Sequence, residues 1–368
     1  MELERAAYVA LALTSGVGAA RMRALLAARG SASAVLITPR DELLRIPGVN
    51  GALASAIAAQ SVEEGQRTLQ AVAGFGAAAL LPTDNAFPAA LRDIPDPPLL
   101  LFALGRLALL ARPAVAIVGS RDHSPYGAEI CRHVATVFAR SGGAVVSGMA
   151  RGLDATAHQA ALDAHGATIG VLGNGLGVVY PAANRALYER VAHEGLLLTE
   201  FPPGERPNAG SFPRRNRLVS GLARVTLIVE AAEGSGALIT ASSALEQGRD
   251  VMAVPGPITS PTSDGTNRLI RDGAHPYLEP ADLFQLFPEL APPPELPADP
   301  APPLPEGLSE PERTLAGSLG DTAMHPDLLA VQLRRPVHEL LAQLATLEIE
   351  GVVEREPGGM FRLRRATR

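Results

Sequence analysis

Six short runs of Val, Ile, Leu and Ala constrain the fold of the middle of the chain more than any other feature. These runs are continuously apolar, and segments with helical spacing separate them. Continuous hydrophobicity indicates strands buried on both faces, as in a mostly parallel sheet covered by helices. The pattern predicts an α/β core with strands at Ala114–Val118, Ala144–Val146, Thr168–Leu172, Leu196–Thr199, Val225–Val229 and Val251–Val254.

The regions on either side of this core differ from it in composition. The first part of the chain is rich in alanine and leucine at helical spacing, with turns at Ser15–Gly18 and Ile46–Val49, so an all-helical domain is expected there. Near the other end, eight prolines in fifteen residues predict a semi-rigid linker. We therefore expect four segments: a helical domain at 1–75, the α/β core at 76–290, the linker at 291–305 and a C-terminal module at 306–368.

Composition excludes several classes of protein. The single cysteine, Cys131, rules out a disulfide framework and a cysteine-rich zinc site, and it favours a reducing compartment. No stretch approaches the ~20 apolar residues that a membrane helix needs. The short apolar run after Glu2 and Glu4 also lacks the basic start of a signal peptide. We therefore expect a cytoplasmic protein that has no membrane span and binds no metal.

Basic residues are concentrated in one place. The chain has a formal net charge of −6, and all 32 of its basic residues are arginines, whose planar guanidinium groups match phosphate oxygens. Phe212 could stack on a base beside them, and Asn216 could orient a phosphate or fix the loop. An alternative, in which nearby glutamates such as Glu200 and Glu230 neutralise the cluster, stays open. Four arginines lie within eleven residues: Arg214, Arg215, Arg217 and Arg224.

Glycines follow several of the predicted strands. In an open parallel sheet, ligands bind beyond the carboxyl ends of the strands, where loop amides and helix N-termini attract anions. These glycines therefore predict an anion pocket for which Arg121 supplies the counter-charge, although ordinary strand-to-helix turns remain the alternative. The candidate pocket residues are Gly119, Ser120, Arg121, Ser147, Gly148 and Gly175.

Two further patterns resemble catalytic or cofactor sites. Asp154 and His158 could form an acid–base pair, but no nucleophile with a base is recognisable nearby, which favours a helix cap and a structural histidine. The loop at 173–177 is similar to a dinucleotide-binding loop, but its third glycine comes too early and no acidic residue follows at a strand end. The sequence therefore predicts neither a catalytic residue nor a cofactor.

The order of these segments resembles that of the DNA-processing protein A family, DprA or Smf. The resemblance covers essentially the whole middle region. It implies an extended Rossmann-like core that binds single-stranded DNA, forms a homodimer and helps to load the RecA recombinase during natural transformation. The motifs that carry it are AIVGSR, VVSGMARGLDATAH, VLGNGLGVVYP, TEFPPG, FPRRNRLVSGLA, VEAAEGSGALITASSALEQGRDVMAVPG and GTNRLIRDGA.

The resemblance also assigns roles to residues. It implies DNA contacts from Arg121 and from the Arg214–Arg217 group. Members of the family often carry a basic residue just before the SGALIT segment and an arginine after its Thr-Ala, where this chain has Gly234 and Ser242. Phosphate binding should therefore depend more on Arg121 and the arginine cluster. The residues that the resemblance places at the dimer surface are Leu238, Leu269 and Ile270.

The terminal modules resemble known small domains. Residues 1–75 are similar to a sterile-alpha-motif or helix-hairpin-helix unit, and residues 306–368 to a winged helix that ends in a hairpin. A groove-reading helix should be basic, but Glu339 and Glu348 make this one acidic, so protein contact is at least as well supported as duplex binding. The expected helices of the winged helix are Glu310–Leu319, Leu328–Leu333 and Val337–Glu350.

An enzyme would also fit such a scaffold. Nucleotide-processing phosphoribohydrolases surround a phosphate with glycines and arginines, and they carry a Pro-Gly-Gly-x-Gly-Thr-x-x-Glu pattern whose glutamate performs the glycosidic chemistry. The corresponding stretch here, Glu233–Ile239, lacks a glutamate at that spacing. Release of a base from nucleoside monophosphates would favour this alternative.

Overall fold

The computed structural model describes residues 2–293, 307–319, 323–356 and 358–364. They divide into two compact units, of which the first ends at Pro293. The segment predicted to be a proline-rich linker lies, from residue 294 onward, outside the described residues.

One sheet forms the centre of the first unit. Its strands are β1 (Ala78–Leu80), β2 (Leu101–Gly105), β3 (Ala114–Val118), β4 (Ala144–Ser147), β5 (Ala167–Val171), β6 (Leu196–Thr199), β7 (Val225–Ile228), β8 (Asp250–Ala253) and β9 (His275–Pro276). They lie in the order β1-β2-β6-β5-β4-β3-β7-β8-β9. Strand β2 pairs antiparallel with β1 and β6, and every other pairing in this sheet is parallel.

The mostly parallel sheet confirms the fold class predicted from the sequence. All six predicted strands are present, and each of their ends lies within one residue of its predicted position. Every residue of β3, β5 and β7 is buried, as continuous apolar runs require. The antiparallel strands β1 and β2 at one side of the sheet were not predicted.

Helices cover both faces of the sheet. Helices α7 and α8 contact each other and cover one face, whereas α10 and α11 contact each other and pack on the other face through Leu218, Val219 and Ala241. None of the described helices is long and apolar enough to cross a membrane. The helices of this part of the unit are α7 (Pro125–Arg140), α8 (Leu153–Asp163), α9 (Arg185–Glu194), α10 (Ser211–Leu222), α11 (Gly236–Glu246), α12 (Asp264–Arg271) and α13 (Pro280–Phe284).

The winding of the chain creates a crevice at one edge of the sheet. From β3 the chain adds β4, β5 and β6 on one side, and it then returns to place β7 on the other side of β3. Such a reversal leaves a crevice at the carboxyl ends of the strands, where ligands of doubly wound sheets bind. The predicted glycine loops after β3, β4 and β5 all lie at this edge.

Six helices precede the sheet and pack against it. Buried Val9 and Val72, from the first and last of them, join a hydrophobic cluster with Phe102 and Leu172 of the sheet region. The ring of Phe75 covers Gly177, in the loop after β5. This domain therefore supports the loops at the carboxyl edge of the sheet. Its helices are α1 (Glu2–Ala12), α2 (Ala19–Arg29), α3 (Ala32–Leu36), α4 (Arg40–Leu43), α5 (Gly51–Ala58) and α6 (Val62–Gly74).

The second unit has the elements of a winged helix. Its core contains the fully buried Leu315, Leu340 and Leu344. The last of its helices carries no arginine, contains Glu339 and Glu348, and exposes Leu341 and Ile349. The elements are α14 (Glu310–Ser318), α15 (Pro326–Leu333), α16 (Val337–Ile349) and a hairpin of β10 (Val353–Glu356) and β11 (Met360–Leu363).

Candidate nucleic-acid interface

Two adjoining hollows lie at the carboxyl edge of the sheet, and together we call them the cleft. The larger, with a volume of about 430 Å³, lies between α10 and the start of α11. The smaller lies between the loops after β4 and β5. Residues shared by both hollows are Arg121, Gly148, Ala150 and Phe212.

Arg121 supplies positive charge to both hollows. Its side chain is exposed, and it forms no ion pair with any carboxylate in the described part of the chain. Gly119, two residues earlier, permits close packing, because a Cβ there would lie 2.4 Å from Leu153 Cδ1. The hydroxyl of Ser120 closes a turn by donating to the carbonyl of Asp122 at 2.9 Å, and it does not line the cleft.

Two aromatic rings form a wall of the smaller hollow. The ring centroids of Tyr180 and Phe212 are 5.4 Å apart and the rings are tilted by 38°. The Arg121 guanidinium lies 5.9 Å from the centre of the Phe212 ring. Such an arrangement can stack on a nucleobase while the cation binds a phosphate. The sequence analysis missed Tyr180, although an aromatic residue directly after a glycine loop was an available signal.

Arg215 lies at the floor of the larger hollow, which it helps to line. It is 4% exposed, and its Nη1 donates to the carbonyl of Gly148, just after β4, and to that of Val171, the last residue of β5. Its Nε donates to Asn216 Oδ1 at 3.2 Å. Burial raises the pKa of the nearby Asp154 carboxyl, and the charge of Arg215 opposes that rise. Burial also lowers the pKa of Arg215.

The four clustered arginines lie in different places, and of these four Arg215 lines the cleft. Arg217 binds both carboxylate oxygens of Glu200 at 2.6 Å, and Arg214 lies 3.7 Å from the same carboxylate. These two arginines line a separate hollow beside the N-terminus of α2. Arg224 lies beyond the end of α10 and pairs with Glu289 at 2.6 Å. Successive side chains on a helix point about 100° apart, which separates neighbours in sequence.

Two more predicted pocket residues lie away from the cleft. Ser147 is fully buried and donates its hydroxyl to the carbonyl of Ile117 at 2.7 Å. The amide of Gly175 donates to the Glu205 carbonyl at 2.9 Å, and a Cβ at Gly175 would lie 1.8 Å from the Pro202 carbonyl oxygen. Gly175 therefore serves the close approach of two loops.

Asp154 and His158 do not form a catalytic pair. His158 is fully buried, with its Nδ1 at 2.6 Å from Thr168 Oγ1, and burial lowers its pKa to about 3. The sequence favoured Asp154 as a cap of α8, but this prediction was wrong: no side chain that the structure describes caps the first turn of α8. Asp154 accepts instead from the backbone amide of Ala150 at 3.4 Å, and so it fixes the loop after β4.

The loop after β7 contributes a neutral helix start to the cleft. Ser235 caps α11 by accepting from the Ala237 amide, and Gly236 lies beside it. Ser242 donates its hydroxyl to the Leu238 carbonyl on the outer part of the helix. Gly234 and Ser242 therefore place no positive charge at this loop.

The residues expected at a dimer surface are partly buried within the chain. Leu238 and Leu269 pack against the main hydrophobic core cluster, and Ile270 is half-buried. The neighbouring Ile239 is exposed and lines the larger hollow. The side chains of Leu238 and Leu269 are therefore only partly free for contact with a second copy.

Comparison with known proteins shows close relatives of this chain. Residues 78–288 match the family model described as DNA recombination-mediator protein A, and residues 299–359 match the DprA winged helix domain. Protein Smf of Escherichia coli K12 is 41% identical over 291 residues, which cover 78% of each chain. DNA processing protein DprA of Streptococcus pneumoniae R6 is 46% identical over 204 residues, covering 55% of this chain and 72% of that one.

Two solved structures have the same fold. The DprA structure from Streptococcus pneumoniae superposes with a TM-score of 0.65 at 33% identity, and it covers 77% of this chain and 95% of its own. A structure from Helicobacter pylori, described as showing a single-stranded DNA binding mode of DNA processing protein A, has a TM-score of 0.54 at 32% identity and covers 58% and 97%. The family model matches more than half of the chain, so this chain belongs to the DNA recombination-mediator protein A family, known as DprA or Smf.

Proposed function

We propose that this protein binds single-stranded DNA in the cleft, protects it, and helps to load a RecA recombinase onto it during natural transformation in the cytoplasm. The observation that carries the proposal is the position of Arg121. It is exposed, it has no carboxylate partner among the described residues, and it lies over Phe212 between the two hollows. The single-stranded DNA binding mode described for the Helicobacter pylori relative supports it.

Single strands fit this cleft better than duplexes. The smaller hollow lies between the loops after β4 and β5, and its aromatic wall of Tyr180 and Phe212 requires a base whose faces are accessible. Bases in a duplex are already stacked and paired. The function that we propose is one of binding rather than catalysis.

A homodimer would strengthen this binding. Two clefts on one particle would engage neighbouring parts of the same strand, and the second contact would occur at high effective concentration. The partly exposed Leu238, Leu269 and Ile270 remain the proposed contact residues.

Titration of a labelled oligo-thymidine and a matched duplex over a series of salt concentrations tests the proposal. For Arg121→Gln we expect affinity for the single strand to fall about tenfold, and the log–log salt slope to weaken by about 0.7, since one phosphate contact is lost. Arg132→Gln is the matched control, because Arg132 is exposed on α7 outside both hollows. Equal affinity of the parent, Arg121→Gln and Arg132→Gln proteins would contradict the assignment of the cleft.

A further inference from the structure

The buried guanidinium of Arg215 joins the ends of two neighbouring strands. Its Nη1 donates to the carbonyl of Gly148, just after β4, and to that of Val171, the last residue of β5. The side chain comes from α10, so one residue connects the helix to both loops that line the smaller hollow. Its Nη1 is directed toward the protein's carbonyls beneath the cleft.

The hydrogen bond to Gly148 orients the next peptide amide. The C=O and N–H of a planar trans peptide point in opposite directions, so a Gly148 carbonyl that faces Arg215 turns the Met149 amide away from it. Met149 has φ +57°, a left-handed conformation that is uncommon for a residue with a side chain. The Met149 amide donates to no acceptor in the described chain, and Met149 lines the smaller hollow.

Gly148 leaves space for the Arg215 guanidinium, and Asp154 compensates its charge. A Cβ at Gly148 would lie 2.5 Å from Arg215 Nη1, so only glycine leaves the space that the guanidinium occupies. The buried carboxylate of Asp154 offsets the charge of Arg215 and holds the Ala150 amide at 3.4 Å. The loop after β4 is therefore fixed from both sides of Met149.

We propose that Arg215 is a positioning residue that holds the loop after β4 so that the Met149 amide can bind a phosphate of the single strand. Arg215 forms part of the lining of the larger hollow, but its Nη1 is bound to protein carbonyls, so the role that we assign to it is to position the loop and not to contact phosphate. This inference rests on the proposed function, and it assigns to Arg215 a role different from that of Arg121, which contacts phosphate with its own charge.

Salt dependence separates these two roles. A residue that contacts phosphate contributes to counterion release, about 0.7 in the log–log slope for a single strand, whereas a positioning residue changes affinity alone. For Arg215→Met in the full chain we expect the Kd for oligo-thymidine to rise about tenfold, with the slope of the parent protein. Arg215→Lys should restore part of the affinity, because an ammonium group can donate to the same carbonyls. The fraction of active protein, from stoichiometric titration, shows that the variants are folded.

Gly148→Ala tests the same contact without removing a charge. The added methyl group displaces the guanidinium, so we expect the Kd to rise as in Arg215→Met, again with an unchanged slope. Both changes break the same contact. The Kd of the double variant should therefore be no higher than the higher of the two single-variant Kd values. Gly74→Ala is the control, since a Cβ at Gly74 meets nothing within 4 Å.

A slope for Arg215→Met that weakens by about 0.7, as for Arg121→Gln, would show direct phosphate contact and overturn the inference. An unchanged Kd in folded Arg215→Met would overturn it as well. If Arg215→Met does not fold, Gly148→Ala decides the question, and an unchanged Kd there overturns the inference. Should Arg121→Gln weaken binding while Arg215→Met does not, the inference fails and the proposed function stands. If neither weakens binding, the proposed function fails.

Discussion

Arg217 holds both carboxylate oxygens of Glu200 at 2.6 Å, and this ion pair is buried between α10 and the end of β6. The side chains are only 13% and 5% exposed. Arg217 also donates to the backbone carbonyl of Asp96 at 2.7 Å. A cation bound in this way joins α10 to two neighbouring segments, and it is not available to a phosphate in the cleft.

Removing one partner of this buried pair should destabilise the protein. For Glu200→Leu we expect the free energy of unfolding to fall by about 3 kcal/mol, because the buried charge of Arg217 loses its main partner. The double variant Glu200→Leu with Arg217→Met should recover most of that loss. Urea unfolding followed by circular dichroism measures both. A single variant as stable as the parent would contradict the structural role of the pair.

Arg224 should matter little for either stability or binding. It pairs with Glu289, but both side chains are more than a third exposed, so solvent screens the attraction between them. Arg224→Gln should therefore shift the urea midpoint of unfolding only slightly. Its oligo-thymidine affinity and salt slope should equal those of the parent. A salt slope for Arg224→Gln weaker than that of the parent would show that Arg224 contacts the DNA.

Phe212 should contribute to affinity through stacking alone. Base stacking on an aromatic side chain is worth about 1–3 kcal/mol, and a neutral ring releases no counterion. Phe212→Ala should therefore raise the Kd for oligo-thymidine by roughly tenfold or more, with an unchanged salt slope, and Phe212→Tyr should bind like the parent. Full affinity of Phe212→Ala, or equal losses for oligo-thymidine and for an abasic oligonucleotide, would show that the ring does not stack on a base.

The sequence predicted the sheet well and the arginines poorly, for physical reasons. A run such as Ala114–Val118 can be buried only in the middle of a layered structure, so its pattern determines both its conformation and its surroundings. The Arg214–Arg217 segment is polar, and its pattern does not show which way each side chain points. Only the packing of α10 against β3, β4 and β5 directs Arg215 inward and Arg217 toward Glu200.

The roles of the glycines in the loops after the strands could not be predicted from the sequence either. Close approach to a phosphate and close approach to another backbone both require a residue without a side chain, so Gly148 and Gly175 look alike in the sequence. The structure distinguishes them, because the space beside Gly148 holds a guanidinium and the space beside Gly175 holds the Pro202 carbonyl. Which partner a glycine accommodates depends on long-range contacts that no local pattern contains.

Gly175→Ala should therefore destabilise the fold. The added methyl group would lie 1.8 Å from the Pro202 carbonyl oxygen, and the backbone would have to move to remove the overlap. We expect the free energy of unfolding to fall by about 1–3 kcal/mol. Gly74→Ala, in open space within α6, should leave stability unchanged or raise it by up to about 1 kcal/mol. Equal unfolding midpoints for the two variants would contradict the packing role of Gly175.

His158 should make stability depend on pH. The Thr168 hydroxyl donates to the Val145 carbonyl, so it accepts from His158 Nδ1, and the fully buried ring is neutral with no partner for Nε2 among the described residues. Burial lowers the pKa of His158 from 6.5 to about 3. Between these values the unfolded chain binds a proton that the folded chain does not. The contribution of neutral His158 to the free energy of unfolding is therefore complete above pH 6.5, and it is lost as the pH falls toward 3.

Comparison with His158→Asn isolates this effect. An asparagine amide can still donate to Thr168 but does not titrate in this range. Asp154, whose pKa is raised by burial, acts in the opposite direction at lower pH and is present in both proteins. Between pH 7 and about pH 5, the parent should lose about 2 kcal/mol more stability than the variant, since each pH unit below the unfolded pKa is worth about 1.4 kcal/mol. Urea unfolding at several pH values measures the difference. Parallel curves for the two proteins would mean that His158 takes up a proton equally well in the folded and unfolded states, which a buried ring beside the charge of Arg215 cannot do.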